Sequence, residues 1–228
     1  MLPVTFTHLG HRWSVALLAA LLAALLAGWM TIALASPPAP PTPFAAAFAL
    51  FSQARQGDEH AIAQSVDAFT KLLQADPANP LWMAYCGAAT SMRATTTWLP
   101  WKKMQYAEDG MALLDRALST LTSAHSAPIL GAVPVAMEVR FVAASTFLAV
   151  PGFMNKGGRG AKLLNDILAS PPLASAPPAF RGDVWMTAAS LAVKEQRMDD
   201  ARKYFKQVIG AGAPQAEAAR AQLGTLPS

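Results

Sequence analysis

Apolar positions recur along this chain at helical spacing, and their clearest run is Trp185 to Pro214. There Ala201, Phe205 and Val208 stand at i, i+4 and i+7, while Trp185, Ala188, Ala189 and Ala192 mark an earlier face of the same kind. The polar triplet Glu195-Gln196-Arg197 breaks the periodicity, so two short amphipathic helices joined by a turn are predicted. Small residues at Ala189 and Ala201 let such helices approach closely, with Trp185 and Phe205 filling the wider space beside the crossing.

The same pattern, less cleanly, fills the rest of the chain. Phe44, Phe48 and Phe51 share one helical face, Gly57-Asp58 makes a turn with Asp58 as a helix cap, and Val66, Phe69, Leu72 and Leu73 follow before Asp76-Pro77 stops the helix. Pro80 opens another helix, and Thr95 to Met104 is an insert. A helix from Gln105 to about Leu121 carries Gly110, Leu114, Ala117 and Leu118 on one face. Pro128 to Val150 is predicted as a long apolar helix interrupted near Pro134, and Pro151 to Gly160 as a second unusual loop. Gly160, Leu164, Ile167 and Leu168 then repeat the spacing of Gly110, Leu114, Ala117 and Leu118, fifty residues on. A proline-rich crossover, Ser170 to Gly182, and a terminal alanine-rich helix from Pro214 to Leu223 complete the pattern. No run alternates as a strand would. The fold class is all-α.

The Trp185–Pro214 stretch resembles a tetratricopeptide repeat, W-x2-L-G-x2-Y…A-x3-F…P, with Trp185, Ala189, Ala201 and Phe205 at its tryptophan, glycine, alanine and phenylalanine. Ala188 and Ala192 depart from its leucine and tyrosine, and its proline is displaced by one residue to Pro214. Phe69, Leu72 and Pro77 form a looser match, with one extra helical turn, and Gly87 falls where the repeat places its glycine. The resemblance implies a short right-handed array of stacked helix hairpins, residues 44–224, that binds a protein or peptide in a groove lined by the first helix of each pair. In this chain that groove would involve Tyr85, Thr90, Arg93, Glu138 and Arg140.

Ahead of the array, Val15 to Ala35 is free of charge, with Arg12 before it, and Ala33-Leu34-Ala35 followed by Ser36 has the form of a signal-peptidase site. Residues 1–35 are therefore expected to be a signal peptide, the competing reading being an uncleaved membrane anchor, and residues 36–43 a proline-rich linker. With Arg12 kept cytoplasmic, either reading places the array outside the cytoplasm, periplasmic or tethered to the inner membrane of a bacterium. The lone cysteine, Cys86, permits no internal disulfide. A net charge of +4 with dispersed basic residues gives nucleic-acid binding no support.

Trp98, Trp101, Lys102 and Lys103 are the most distinctive constellation, with Phe153, Met154, Asn155 and Lys156 as their counterpart in the later loop. The first set could grip a partner peptide, a glycan or a lipid headgroup, but large aromatics usually bury, so the expectation is that both tryptophans seal a joint between helix pairs and leave only the lysines wet. Repeats stacked in register would bring both inserts to one rim, but the later loop reads more simply as an ordinary long turn. Gly157-Gly158-Arg159-Gly160-Ala161-Lys162 could open an anion-binding helix but reads more simply as a flexible turn. Glu138 and Arg140 point to different faces and are expected to pair with charges on neighbouring helices, such as Arg93 or Asp115. Glu108-Asp109 and Asp199-Asp200 look like helix-start carboxylates. Cys86 is expected to be a buried, inert thiol, no zinc-ligand spacing or nucleophile elbow occurs, and neither metal nor cofactor is called for. The expected function is a non-enzymatic adaptor or scaffold of the bacterial envelope. The alternatives are a carrier of an apolar ligand or lipid, with the Trp98–Trp101 loop as its lid, and a structural role through self-association.

Overall fold

Residues 42–127 and 133–227 are described by the structure, a computed structural model, and every regular element among them is helical. Ten α-helices run in order: α1 Pro43–Arg55, α2 Glu59–Ala75, α3 Pro80–Met92, α4 Pro100–Thr120, α5 Val135–Ala149, α6 Gly157–Leu168, α7 Pro172–Ser175, α8 Pro178–Lys194, α9 Met198–Gly210 and α10 Ala216–Thr225. Their starts are written locally. Thr42, Asp58 and Asn79 cap α1, α2 and α3 with side-chain oxygens, and Asp58 takes the amides of both His60 and Ala61. Pro43, Pro80, Pro100 and Pro178 open their helices at the one position where a missing N–H costs nothing.

The helices pack as consecutive pairs, α1 on α2, α3 on α4, α5 on α6 and α8 on α9, and each second helix also touches the first helix of the next pair. Burial repeats with the pairs. Ile62, Val66 and Phe69 on α2, Gly110, Leu114 and Ala117 on α4, Gly160, Leu164 and Ile167 on α6, and Ala201, Phe205 and Val208 on α9 form one buried i, i+4, i+7 triad per second helix. The turns of the first and last pairs match in register as well. Gly57 and Gln196 both take positive φ, and the amides of Gly57 and Asp58 bond back to Ala54 and Gln53 as those of Gln196 and Arg197 do to Val193 and Ala192. Counted from these turns, Val66 rather than Phe69 stands opposite Phe205. The extra turn of α2 lies at its C-terminal end.

Two pairs meet backbone to backbone. A Cβ placed on Gly87 would stand 2.7 Å from the Gly110 carbonyl oxygen, and one on Gly160 would stand 3.0 Å from the carbonyl oxygen of Ala144. These glycines hold the α3–α4 and α5–α6 crossings where Ala189 and Ala201 hold that of α8–α9. The core follows the stack as four clusters, a small one of Ala54, Ala61 and Ile62 at the α1–α2 turn, the largest spanning α1 to α5, another joining α5 to α8, and the last within α8, α9 and α10.

Several element boundaries differ from expectation. The second helix of the second pair starts at Pro100, not Gln105, so Trp101 to Met104 are helical and Glu108-Asp109 lie mid-helix rather than at a start. The fifth helix begins after Pro134, whose ring excludes Val133 from a helical conformation; residues 128–132 lie outside the described residues. Gly157 to Gly160 form the first turn of α6 instead of a flexible turn, since Gly160 is needed at the crossing. A one-turn helix, α7, interrupts the crossover. The predicted signal or anchor segment, 1–35, and most of the linker also lie outside the described residues. Among the described residues no helix is long and apolar enough to cross a membrane.

Candidate functional site: the first-helix face and the second-hairpin tip

The first helices α1, α3, α5 and α8 meet one another through a polar seam set in aromatics. Phe44, Phe48 and Phe51 project from α1 because they share its face, and all three rings reach Tyr85 of α3 at centroid distances of 5.7, 5.6 and 5.1 Å. Phe69 stacks on the same ring at 5.1 Å, and Trp82 packs on Phe44. Tyr85 is thereby only 4% exposed, and its hydroxyl donates a 2.6 Å hydrogen bond to Glu138 of α5. Burial, and after it the charge of Glu138, holds the Tyr85 phenol well above its ordinary value, so the ring stays protonated as a donor. Burial also raises the Glu138 carboxyl, while the bond from Tyr85 pulls the other way. At the edge of the seam Arg55 of α1 lies 3.7 Å from Asp183 of α8, drawing the first and last pairs together.

The predicted groove residues do not gather in one place. Tyr85 and Glu138 touch, but Glu138 takes a phenol as its partner where Arg93 was expected, and Asp115, expected for Arg140, is held by Lys156 and Arg159. Arg93 turns towards α4 and lies over the Tyr106 ring, 4.5 Å from its centroid. Thr90 is half-buried beside Cys86, and Arg140 is exposed, lining a hollow of about 80 Å³ with Asp166 and Ile167. The Cys86 thiol is buried and raised by that burial. The clustering of Phe44, Phe48, Trp82 and Tyr85 was missed by sequence reasoning, although the shared face of the three phenylalanines was the available signal.

At the opposite extreme of burial, Trp98 is 82% and Trp101 65% exposed, with Lys102 and Lys103 exposed beside them. The expectation that both tryptophans seal a joint is overturned. The Pro100 start carries α4 beyond the Gly87–Gly110 crossing, so its first turn has no neighbouring helix pair to wedge into. Phe153 is likewise 72% exposed, whereas Lys156 is held by Asp115 at 3.0 Å, together with Arg159. Asp115 lies fourteen residues beyond Trp101 on α4, about 20 Å along the axis. The two loops therefore do not build a single rim around that helix.

Among the described residues no three His, Cys, Asp or Glu side chains are grouped to hold a metal ion. A hollow of about 540 Å³ on α9 is open and lined by Asp199, Arg202, Lys203, Lys206 and Gln207. It is a charged surface, not an apolar enclosure. Set against protein-family models, curated proteins and solved structures, the chain matches none.

Proposed function

We propose that this protein is a tetratricopeptide-like, non-enzymatic adaptor of the bacterial envelope, its hairpin array lying outside the cytoplasm and binding a protein or peptide partner. The observation that carries this reading is the buried triad recurring in four successive second helices. An array built from one repeated unit presents a row of first helices, and such rows hold extended peptides or partner helices. The segment Val15–Ala35 supports the compartment. The carrier reading gains no comparable support, because the hollow of about 540 Å³ on α9 is open and lined by charged side chains, and the one beside Arg140, about 80 Å³, is smaller than the roughly 300 Å³ from which small-molecule pockets begin.

The test is a photo-crosslinking residue placed, in intact cells, at Phe48 or Arg140 on the first helices and at Lys203 or Lys206 on α9. The expected result is a crosslinked species of discrete mass in the envelope fraction from the first-helix positions alone. The same products from all four positions, or none from any, would count against the adaptor.

A further inference from the structure

We propose that the tip of the second hairpin, Trp98, Trp101, Lys102 and Lys103, docks on the surface of a bilayer that carries anionic phospholipid. The inference rests on the envelope location proposed above, and its own grounds are local. Two tryptophans within four residues stand in solvent, with Met104 also exposed, so the fold forgoes the stabilisation that burying large aromatics would bring. Trp101 and Met104, three apart on α4, share a face, and Lys102 and Lys103 flank it. Both lysines sit in the first turn of a 21-residue helix whose first turn holds no acid and whose Leu99 cap offers no side-chain acceptor. That is the wrong sign of charge for a helix start. Among the described residues neither lysine has an ion-pair partner. Helix stability and core packing both leave these residues unexplained.

An anionic lipid surface accounts for all of them together. Tryptophan settles at the level of the headgroups, where its ring is half in hydrocarbon and its N–H finds acceptors, and lysines reach phosphate alongside. The positive end of α4 adds to the attraction, which falls off within a Debye length. A peptide partner would be met by a groove, and here the aromatics stand proud of the surface.

The test uses the full chain reconstituted in vesicles, with tryptophan emission of the wild type compared with W98F/W101F, so that the difference isolates these two rings. Lipids brominated near the headgroup should quench that difference signal at least twofold in vesicles with about 30% anionic phospholipid. Quenching should be lost in zwitterionic vesicles and at roughly 0.5 M salt. K102E/K103E, altering exposed positions, should abolish it with helicity unchanged. A difference signal open to aqueous acrylamide but untouched by bromolipid would overturn the proposal, as would one shielded from both, which would mean a protein covers the tip. Failure of the chain to sediment with anionic vesicles would overturn it as well, whereas recovery of the chain in the cytoplasmic fraction of intact cells would strike instead at the envelope location.

Discussion

Glu138 occupies a position that no charge-pairing rule anticipates. Its carboxylate lies between helices, bonded by a phenol that is itself locked by four aromatic rings. Because burial raises its pKa in the fold, the folded protein holds this proton more tightly than the unfolded chain does. The sign follows: the group's contribution to stability is complete below its ordinary value of 4.5 and is lost as the pH rises through the raised, folded value. Glu138→Gln keeps an acceptor for Tyr85 and removes the titration, so its thermal midpoint should fall less than the wild type's as pH rises from about 4 to 8. Tyr85→Phe should cost on the order of 1–3 kcal/mol, since it leaves a carboxylate without its donor. Parallel pH slopes for wild type and Glu138→Gln would remove Glu138 from this role.

Between elements, the glycine crossings decide how close a pair can come. A methyl group on Gly110 would strike the Ser91 side chain and lie 2.5 Å from the Gly87 carbonyl oxygen. Backbone cannot rotate away. Gly110→Ala should therefore be destabilising by about 1–3 kcal/mol, even though alanine is by itself the better helix former by about 1 kcal/mol. Gly158, in the first turn of α6, has open space around its Cβ position, so Gly158→Ala should stabilise by roughly 0.5–1 kcal/mol. Urea midpoints of the two variants check both signs, and a neutral Gly110→Ala would mean the α3–α4 pair is looser than described. These crossings were partly legible in the sequence. The spacing shared by Gly110-Leu114-Ala117 and Gly160-Leu164-Ile167 showed that the two faces were alike. It did not show that Gly87 was the partner of Gly110, because a residue's partner on another helix leaves no mark in its own periodicity.

Across the whole molecule the four clusters divide the core along the stack, and the last of them depends on α10. Ala219 of α10 is buried in the cluster formed by Ala189, Ala201, Phe205 and Val208. Stability in such an array is passed between neighbours and is not shared equally. Removal of residues 216–228 should accordingly raise amide exchange in α8 and α9 first, with α3 and α4 still protected, as hydrogen exchange followed by mass spectrometry would report. Simultaneous loss of protection everywhere would show a single cooperative unit. The Arg55–Asp183 contact opposes that division only weakly, since both side chains are partly solvated and such pairs contribute at most about 1 kcal/mol.

Helix identity, the caps, the helical spacing of the apolar positions and the all-α class were determined by the sequence itself, because each depends on residues within a few positions of one another. The looser repeat match around Phe69 failed in register for the same reason: its periodicity was right, but the turn at Gly57 sets where the count begins. Only the tertiary structure decided which side chains lost contact with water. Tyr85 was drawn into an aromatic nest by α1, and Trp98 and Trp101 were left outside because α4 overruns the helix beside it. Burial belongs to the meeting of elements distant in the chain, and hydrophobicity alone does not say whether a tryptophan will find a neighbour.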